Sequence, residues 1–327
     1  MAFVLQEPVP EPYRDRSSML YVIGVVEILA GAAMVLGGVV VLLVPLMSHG
    51  GAPIMPASAI RMSALTSGFQ AALLIGTGIG TLQCRRWARV FTVFAGWFGI
   101  ATGVMGVAMQ VAIIPRMGRV MAGKGPAPPA WAMEIGMLLG MAFTVAIWIV
   151  IPGLIVWGAS SRDARMTCEW KDPVPRWTDR QPIAVTMAAL WLATAAIMQM
   201  LVVAAQMALP VAGHFVTGFP AVAIAVSWSG VLLAIAGGLS QARLWAWGAA
   251  LVTNIGGAVL GVITMLRTDQ MELLQRLGWT EAQARQALEL NPLGGHANLV
   301  TVVYSALPVL LLLLISRRHF FSATPAA

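Results

Sequence analysis

Residues 80–90 read GTLQCRRWARV, a basic turn between two long apolar runs. A related stretch, GLSQARLWAW, occupies residues 238–247 and is also flanked by apolar runs. Both contain a Leu, a short polar link, an Arg and the pair Trp-Ala in the same order. The recurrence divides the chain into two halves, and the apolar flanks predict that each turn joins two membrane spans.

The composition of the chain is that of a membrane protein. Of its 327 residues, 59% are hydrophobic and 10% are charged, whereas soluble domains carry roughly 25% charged residues. With a mean hydropathy of +0.82, the chain is expected to have the lipid bilayer as its main partner. The net charge of +7 comes from basic residues in short loops beside apolar runs, so it predicts helix orientation and no nucleic-acid binding.

Eight apolar runs are long enough to cross a bilayer, which takes about 20 helical residues. They cover 19–47, 59–82, 87–114, 131–159, 183–209, 218–240, 245–266 and 297–316. The even number puts both termini on one side, which collects thirteen of the 20 Lys and Arg residues. Because cytoplasmic loops are enriched in Lys and Arg, both termini are predicted to be cytoplasmic in a bacterial inner membrane.

Three further features recur in the same order in both halves, with offsets that drift from 165 to 156 residues. They are Pro45-x-x-x-His49 with Pro210-x-x-x-His214, Gly99-x-x-x-Gly103 with Gly257-x-x-x-Gly261, and Pro152 with Pro308. The predicted fold class is an all-α integral membrane protein with eight transmembrane helices, arranged as two tandem parallel four-helix repeats.

The predicted domains follow from these spans. Two cytoplasmic tails cover 1–18 and 319–327, and the two repeats cover 19–160 and 183–318, joined by a cytoplasmic linker at 161–182. The second repeat contains an outer helical hairpin at 267–296, in which Thr280 and Gln283 form a capping box.

Glu27 is the one acid well inside an apolar span. An intramembrane carboxyl is costly and marks a candidate functional site, although it can also be a neutral acid that joins two helices. With no Lys or Arg deep within the membrane to pair with it, we expect Glu27 to be protonated or hydrogen-bonded to Ser67, Gln70 or Asn254. The second half carries Leu192 at the corresponding position, so a symmetric proton pathway is not predicted.

A small-solute transporter or channel would need a polar path, which is expected at the interface between the repeats. Its candidate lining residues are Glu27, Gln70, Gln199, Gln206 and Asn254. A transporter predicts that these side chains converge on one central cavity, whereas a scaffold predicts that they face different neighbours.

His49 and His214 occupy equivalent positions on the predicted outer face, and two such imidazoles could bind copper or the iron of a haem. The alternative is that both are ordinary hydrogen-bonded loop residues, in which case no cofactor is expected. Cys84 and Cys168 lack ligand-spaced partners and are predicted to be free reduced thiols.

Small residues and prolines predict how the spans pack and bend. Close helix contacts are expected at Gly76, Gly80, Gly99, Gly103, Gly257 and Gly261. Bends are expected at Pro152 and Pro308, where the ring removes a backbone hydrogen bond.

The sequence contains no nucleophilic triad, paired carboxylates, HExxH or Walker motif, so no enzymatic activity is predicted. Three functions remain open. The first is a non-enzymatic membrane component or accessory subunit that associates with other membrane subunits. The second is a small-solute transporter or channel, and the third is a metal- or haem-binding membrane protein.

Overall fold

A computed structural model of the chain describes residues 13–47, 56–122, 130–206, 208–290 and 297–321. Most of these residues are helical. The helices are α1 (Ser17–Met47), α2 (Ala57–Leu82), α3 (Arg86–Ala122), α4 (Ala130–Val145), α5 (Ile151–Ala159), α6 (Arg162–Lys171), α7 (Ile183–Gln206), α8 (Phe219–Ser240), α9 (Leu244–Arg267), α10 (Gln270–Arg276), α11 (Glu281–Leu290) and α12 (Ala297–Phe321). A π-helical segment, Ala146–Val150, joins α4 to α5 without a break.

Within the described residues, eight helical runs are long and apolar enough to cross a membrane. They are Ser17–Leu43, Ala57–Leu82, Arg86–Val111, Ile135–Ala159, Ile183–Gln206, Phe219–Ser240, Leu244–Arg267 and Val302–Phe321. The predicted number of spans is therefore confirmed, and the fold is that of a multi-pass helical membrane protein. Many of the large apolar side chains on these helices are exposed, as side chains that face lipid are.

The spans pack mainly as neighbouring pairs: α1 with α2, α3 with α4 and α5, α7 with α8, and α9 with α12. The α1–α2 pair approaches closely, since a Cβ atom on Gly78 would lie 2.7 Å from the carbonyl oxygen of Gly24. In the second half, α7, α8, α9 and α12 share one buried apolar core. Helix α7 also contacts α2 and α3, which joins the two halves.

The two basic turns that recur in the sequence have the same backbone conformation. Cys84 and Ala242 both adopt positive φ, at 51° and 54°. The glycine that precedes each turn contacts the Trp-Ala pair that follows it. A Cβ on Gly80 would lie 2.6 Å from the Cβ of Ala88, and one on Gly238 would lie 2.6 Å from that of Ala246. Each turn therefore needs a glycine at this position.

A two-stranded antiparallel β-hairpin lies between α7 and α8, where the sequence analysis predicted only helix and loop. Its strands are β1 (Ala208–Val211) and β2 (His214–Thr217). The two turn residues, Ala212 and Gly213, both have positive φ, which is the conformation that suits a two-residue hairpin. Helix α7 consequently ends at Gln206, before the predicted end of this span.

The segment between the two halves contains helix α6 and packs against the first basic turn. The Arg86 guanidinium donates to the backbone carbonyls of Asp172 and Glu169 and pairs with Asp179 at 3.8 Å. The Asp172 carboxylate is buried and lies 3.8 Å from the Arg85 guanidinium. A set of ion pairs therefore fixes the segment between the two halves to the turn.

Both ends of the helical bundle meet this same segment. The backbone N–H of Arg16, just before α1, donates to the hydroxyl of Thr167 on α6 at 3.0 Å. The His319 ring near the end of α12 lies 2.9 Å from the amide oxygen of Gln181. The start of the first span and the end of the last therefore lie on one face of the protein.

The long segment after α9 folds into α10 and α11. The backbone N–H of Thr280 donates to the Gln283 side chain at 3.0 Å, and the N–H of Gln283 donates to the Thr280 hydroxyl at 3.3 Å. The Ser58 hydroxyl at the start of α2 donates to the carbonyl of Leu277. This contact connects the helical pair of the second half to the first half.

Candidate functional site

A cavity of about 140 Å³ lies within the first half of the protein, against the second. Its walls come from α1, α2, α3, the π-helical segment with α5, and α7. Most of its lining side chains are apolar. The polar groups among them are Glu27, Gln70, Thr194 and the indole of Trp148.

Glu27 is the ionisable residue in this lining, and only 3% of its surface is exposed. It lies ten residues into α1, or about 15 Å along the helix axis from Ser17. Neither carboxyl oxygen makes a hydrogen bond of normal geometry to any described residue. The hydroxyl groups of Thr92 and Thr81 lie beside the carboxyl, but outside that geometry.

These two hydroxyl groups also lie within hydrogen-bond distance of other oxygens. The Thr81 hydroxyl donates to the Thr77 carbonyl at 2.9 Å, and a carbonyl can only accept. The Thr81 and Thr92 hydroxyl oxygens are 2.9 Å apart, and either hydroxyl can be the donor. The carboxyl of Glu27 therefore lies beside two hydroxyl groups that bond to other oxygens, and neither hydroxyl bonds to it with normal geometry.

The hydrogen-bond partners predicted for Glu27 are not the ones beside it. Ser67 packs against Gly38, eleven residues further along α1. The amide of Asn254 donates to the carbonyl of Ala306 on α12 at 2.9 Å. Gln70 lines the same cavity as Glu27 without a hydrogen bond to it.

Aromatic side chains form much of the remaining wall. Phe69, Phe94, Phe98 and Trp148 all line the cavity. The Trp191 ring of α7 holds two of them in place, with centroids 6.1 Å from Phe94 and 5.4 Å from Phe98. These rings were not predicted from the sequence as part of a site, because their spacing is the same in a cavity wall as in ordinary apolar packing.

The π-helical segment Ala146–Val150 borders the cavity together with Pro152. A π-helical turn shifts the register of the side chains that follow it, and such turns often occur at functional sites. Helix α3 approaches this segment closely, since a Cβ on Gly103 would lie 2.7 Å from the Trp148 carbonyl oxygen. Gly99 similarly contacts the Pro152 ring, at 3.2 Å. The irregular backbone is thus held in place by the glycine face of α3.

A second and larger cavity, of about 790 Å³, lies in the second half. It is lined by α7, the β-hairpin, α8, α9 and α10, and it contains Gln199 and Gln206. The five polar side chains predicted to form one path are therefore distributed among three places. Glu27 and Gln70 line the first cavity, Gln199 and Gln206 line the second, and Asn254 bonds to a neighbouring helix.

The predicted histidine site is described only in part. His214 is exposed on β2, opposite Val211. His49 lies outside the described residues, so the predicted pairing of the two imidazole rings stays a prediction. No group of three or more His, Cys, Asp or Glu side chains with ligand geometry occurs in the part of the chain that the structure describes.

The remaining glycines and prolines singled out in the sequence have different surroundings. A Cβ on Gly76 would meet no atom within 4 Å, so this glycine makes no close helix contact. Gly257 has ordinary contact with the Trp228 ring at 3.6 Å, whereas Gly261 packs tightly on Val302, at 2.8 Å. Pro308 lies inside α12, which continues past it as α-helix.

Comparisons of the chain with protein-family models, with curated proteins and with solved structures gave no match. What the protein does is therefore inferred from the cavity at Glu27 and the residues around it.

Proposed function

We propose that the protein is a non-enzymatic carrier of the bacterial inner membrane, with both termini cytoplasmic, that holds a small solute in the Glu27 cavity. One observation supports this most strongly. A carboxyl group that is almost fully buried and makes no hydrogen bond to a described residue lines a cavity among membrane-spanning helices. Such a group costs folding free energy, and intramembrane acids usually serve binding or transport.

The second half of the chain supports the view that the buried acid is kept for function and not for folding. If the halves are tandem repeats, the offset of 158 that relates the two basic turns pairs Thr81 with Leu239 and Thr92 with Ala250. Glu27 corresponds to Leu192 by the offset of 165. The three counterparts are buried in the apolar core of the second half. The same architecture is thus built without the polar groups, so folding does not require them.

An accessory subunit is the second candidate. It is favoured because the predicted polar residues do not converge on one cavity. Asn254, for example, donates to the carbonyl of Ala306 on the neighbouring helix, which is a packing contact. A subunit of this kind would move no solute by itself. Reconstitution of the full chain therefore separates the two candidates.

The test is uptake into proteoliposomes that contain the purified full-length protein. Methylammonium, glycine, acetate and glycerol would be supplied as labelled probes, one each of cationic, zwitterionic, anionic and neutral chemistry. Ala30 lines the cavity one turn from Glu27 on α1, so Ala30→Phe should fill it and reduce uptake at least tenfold. Ala33 is exposed on the same helix, so Ala33→Phe should leave uptake within twofold of the wild type.

Uptake of at least one probe above the level of empty liposomes, lost in Ala30→Phe and kept in Ala33→Phe, supports the proposal. Equal uptake by both variants would place the solute path elsewhere and overturn the role of the cavity. No uptake of any probe would overturn the carrier proposal and leave the accessory-subunit candidate.

A further inference from the structure

We infer that the solute of the Glu27 cavity is a small monovalent organic cation, which enters as Glu27 releases its proton. This inference rests on the proposed function and adds the substrate class to it. It follows from the unpartnered buried carboxyl, from the aromatic rings around it and from the size of the cavity.

The charge of the site requires a positive partner. A buried carboxylate without a hydrogen bond or counter-ion is strongly disfavoured, because it loses its hydration without compensation. The Thr81 and Thr92 hydroxyls lie beside the carboxyl without a hydrogen bond of normal geometry to it, and neither carries a charge that could balance it. In the empty site a bound proton removes the charge, and in the loaded site a cation balances it. An anionic solute would add a second negative charge, and a neutral solute would leave the proton in place.

The aromatic lining distinguishes an organic cation from an inorganic one. The faces of Phe69, Phe94, Phe98 and Trp148 carry negative electrostatic potential that attracts alkylammonium and guanidinium groups. Hard metal ions instead need about six oxygen ligands. The side chains of this lining supply oxygens only from Glu27, Gln70 and Thr194.

The volume limits the size of the ion. An apolar protein cavity of about 150 Å³ accommodates benzene, and this cavity has about 140 Å³. Methylammonium, guanidinium and tetramethylammonium all have fewer heavy atoms than benzene and fit this volume.

The helices around the cavity bring no other charge to the carboxyl. Helix α1 has no charged residue besides Glu27, and α5, α7 and the π-helical segment have none. On α2, Arg61 donates to a backbone carbonyl at the end of α7. On α3, Arg86 bonds to the segment between the two halves and Arg89 donates to the carbonyl at the end of α5. The other charged residues of α3 and α4 are Arg116 and Arg119, 17 and 20 residues after Gly99, and Glu134, 13 residues before Ile147.

The exchange balances in protons and charge. On loading, the O–H bond of the Glu27 carboxylic acid breaks, the proton passes to water, and the carboxylate pairs with the cation. No electrons are transferred. Each cation bound therefore releases one proton, and the net charge inside the cavity does not change.

Proton release on binding tests this directly. Full-length protein in detergent and weak buffer at pH 6 would be titrated with methylammonium, guanidinium and tetramethylammonium chlorides, with a pH-indicating dye as readout. At least one should release close to one proton per protein in a saturable manner, whereas sodium chloride should release none. Glu27→Gln should abolish the release, and Ala33→Phe should retain it.

Failure of this inference is distinguishable from failure of the carrier proposal. If none of the three cations releases protons while a neutral or anionic probe enters proteoliposomes by way of the cavity, the carrier proposal stands and the cation inference is wrong. Release that persists in Glu27→Gln would assign the proton to another group and would equally overturn it. Size-exclusion chromatography and helical circular dichroism check that the Gln variant is folded.

Discussion

At the scale of single residues, the two cysteines illustrate how burial controls reactivity. Cys84 and Cys168 are buried in one cluster with Leu20 and Ala164, where the first basic turn meets α6. Burial, with the neighbouring Cys84 as a smaller cause, raises the pKa of the Cys168 thiol to about 12. Burial also raises the pKa of Cys84. Both thiols are therefore protonated at neutral pH.

Alkylation should consequently be slow in the folded protein. Only the thiolate reacts, so iodoacetamide at pH 7.5 should label both cysteines at least tenfold more slowly than it labels them in protein unfolded by detergent. The pKa of Cys168 is about 12 in the folded protein and near 9 in the unfolded chain. Its contribution to the free energy of unfolding is therefore fully present below pH 9 and falls as the pH rises towards 12. Rapid labelling of folded protein at pH 7.5 would contradict the packing of this cluster.

Asp172, directly after α6, supplies the buried carboxylate in the attachment of this helix to the first basic turn. Its carboxylate is buried and lies 3.4 Å from Arg176 and 3.8 Å from Arg85. Asp172→Asn keeps the shape and removes the charge, which should weaken the attachment by about 2 kcal/mol. Tryptic cleavage of the segment between the two halves should then be at least tenfold faster.

The matched control for this change is Glu169→Gln. Glu169 pairs with Arg165, which is 64% exposed, one turn away on α6, and such pairs contribute only about 0.3–0.5 kcal/mol. Its cleavage rate should stay within about threefold of the wild type. Equal rates for the two variants would show that the buried carboxylate does not hold α6 in place.

Residue-level prediction from the sequence succeeded for Glu27 and failed for its neighbours. An acid in an apolar run is conspicuous, because burying it is costly. Thr81 and Thr92 are not, since threonine in a membrane helix ordinarily bonds to the carbonyl one turn back, as Thr77 and Thr81 do here. Which side chains meet across α1, α2 and α3 depends on helix rotation, and the sequence does not contain that information in any local pattern.

At the scale of elements, the close approach of α1 and α2 should be sensitive to one methyl group. A Cβ on Gly78 would lie 2.7 Å from both the Gly24 carbonyl oxygen and the Ile28 side chain. Gly78→Ala should therefore lower the free energy of unfolding by about 1–3 kcal/mol. The thermal unfolding midpoint of detergent-solubilised protein would measure this.

Gly76 provides the control, two residues earlier on the same helix. A Cβ there would meet no atom within 4 Å, and alanine favours helix over glycine. Gly76→Ala should leave the midpoint unchanged or raise it slightly. A fall for Gly76→Ala as large as that for Gly78→Ala would contradict the described rotation of α2.

Prediction of the elements from the sequence succeeded where apolar composition determines the structure, and it failed where the backbone conformation of a few residues determines it. The eight spans follow from runs of apolar residues, which is why they are confirmed. The β-hairpin was missed because its turn, Ala212-Gly213, needs positive φ at an alanine, a residue that rarely adopts it. The π-helical segment before Pro152 was missed as well, since no residue type in 146–150 specifies that backbone.

At the scale of the whole molecule, the two halves share their basic turns but differ in what they enclose. The second half has a continuous apolar core that includes Leu192 and Leu239. The first half has, at the corresponding places, a buried polar cluster beside a cavity. A protein gains nothing in stability from a buried carboxyl that lacks a hydrogen bond of normal geometry, and under the proposed function this cost is kept because the carboxyl binds the solute.

The most direct measurement of this claim is a thermal unfolding titration of wild type and Glu27→Leu with tetramethylammonium chloride. The wild-type midpoint should rise with ligand concentration, because only the folded protein binds the cation. Glu27→Leu should unfold at the same or a higher temperature without ligand and show no rise. The reverse change, Leu192→Glu, should unfold at a clearly lower temperature, since no cavity receives the acid. A wild-type midpoint that does not respond, or a Glu27→Leu midpoint as low as that of Leu192→Glu, would contradict the account.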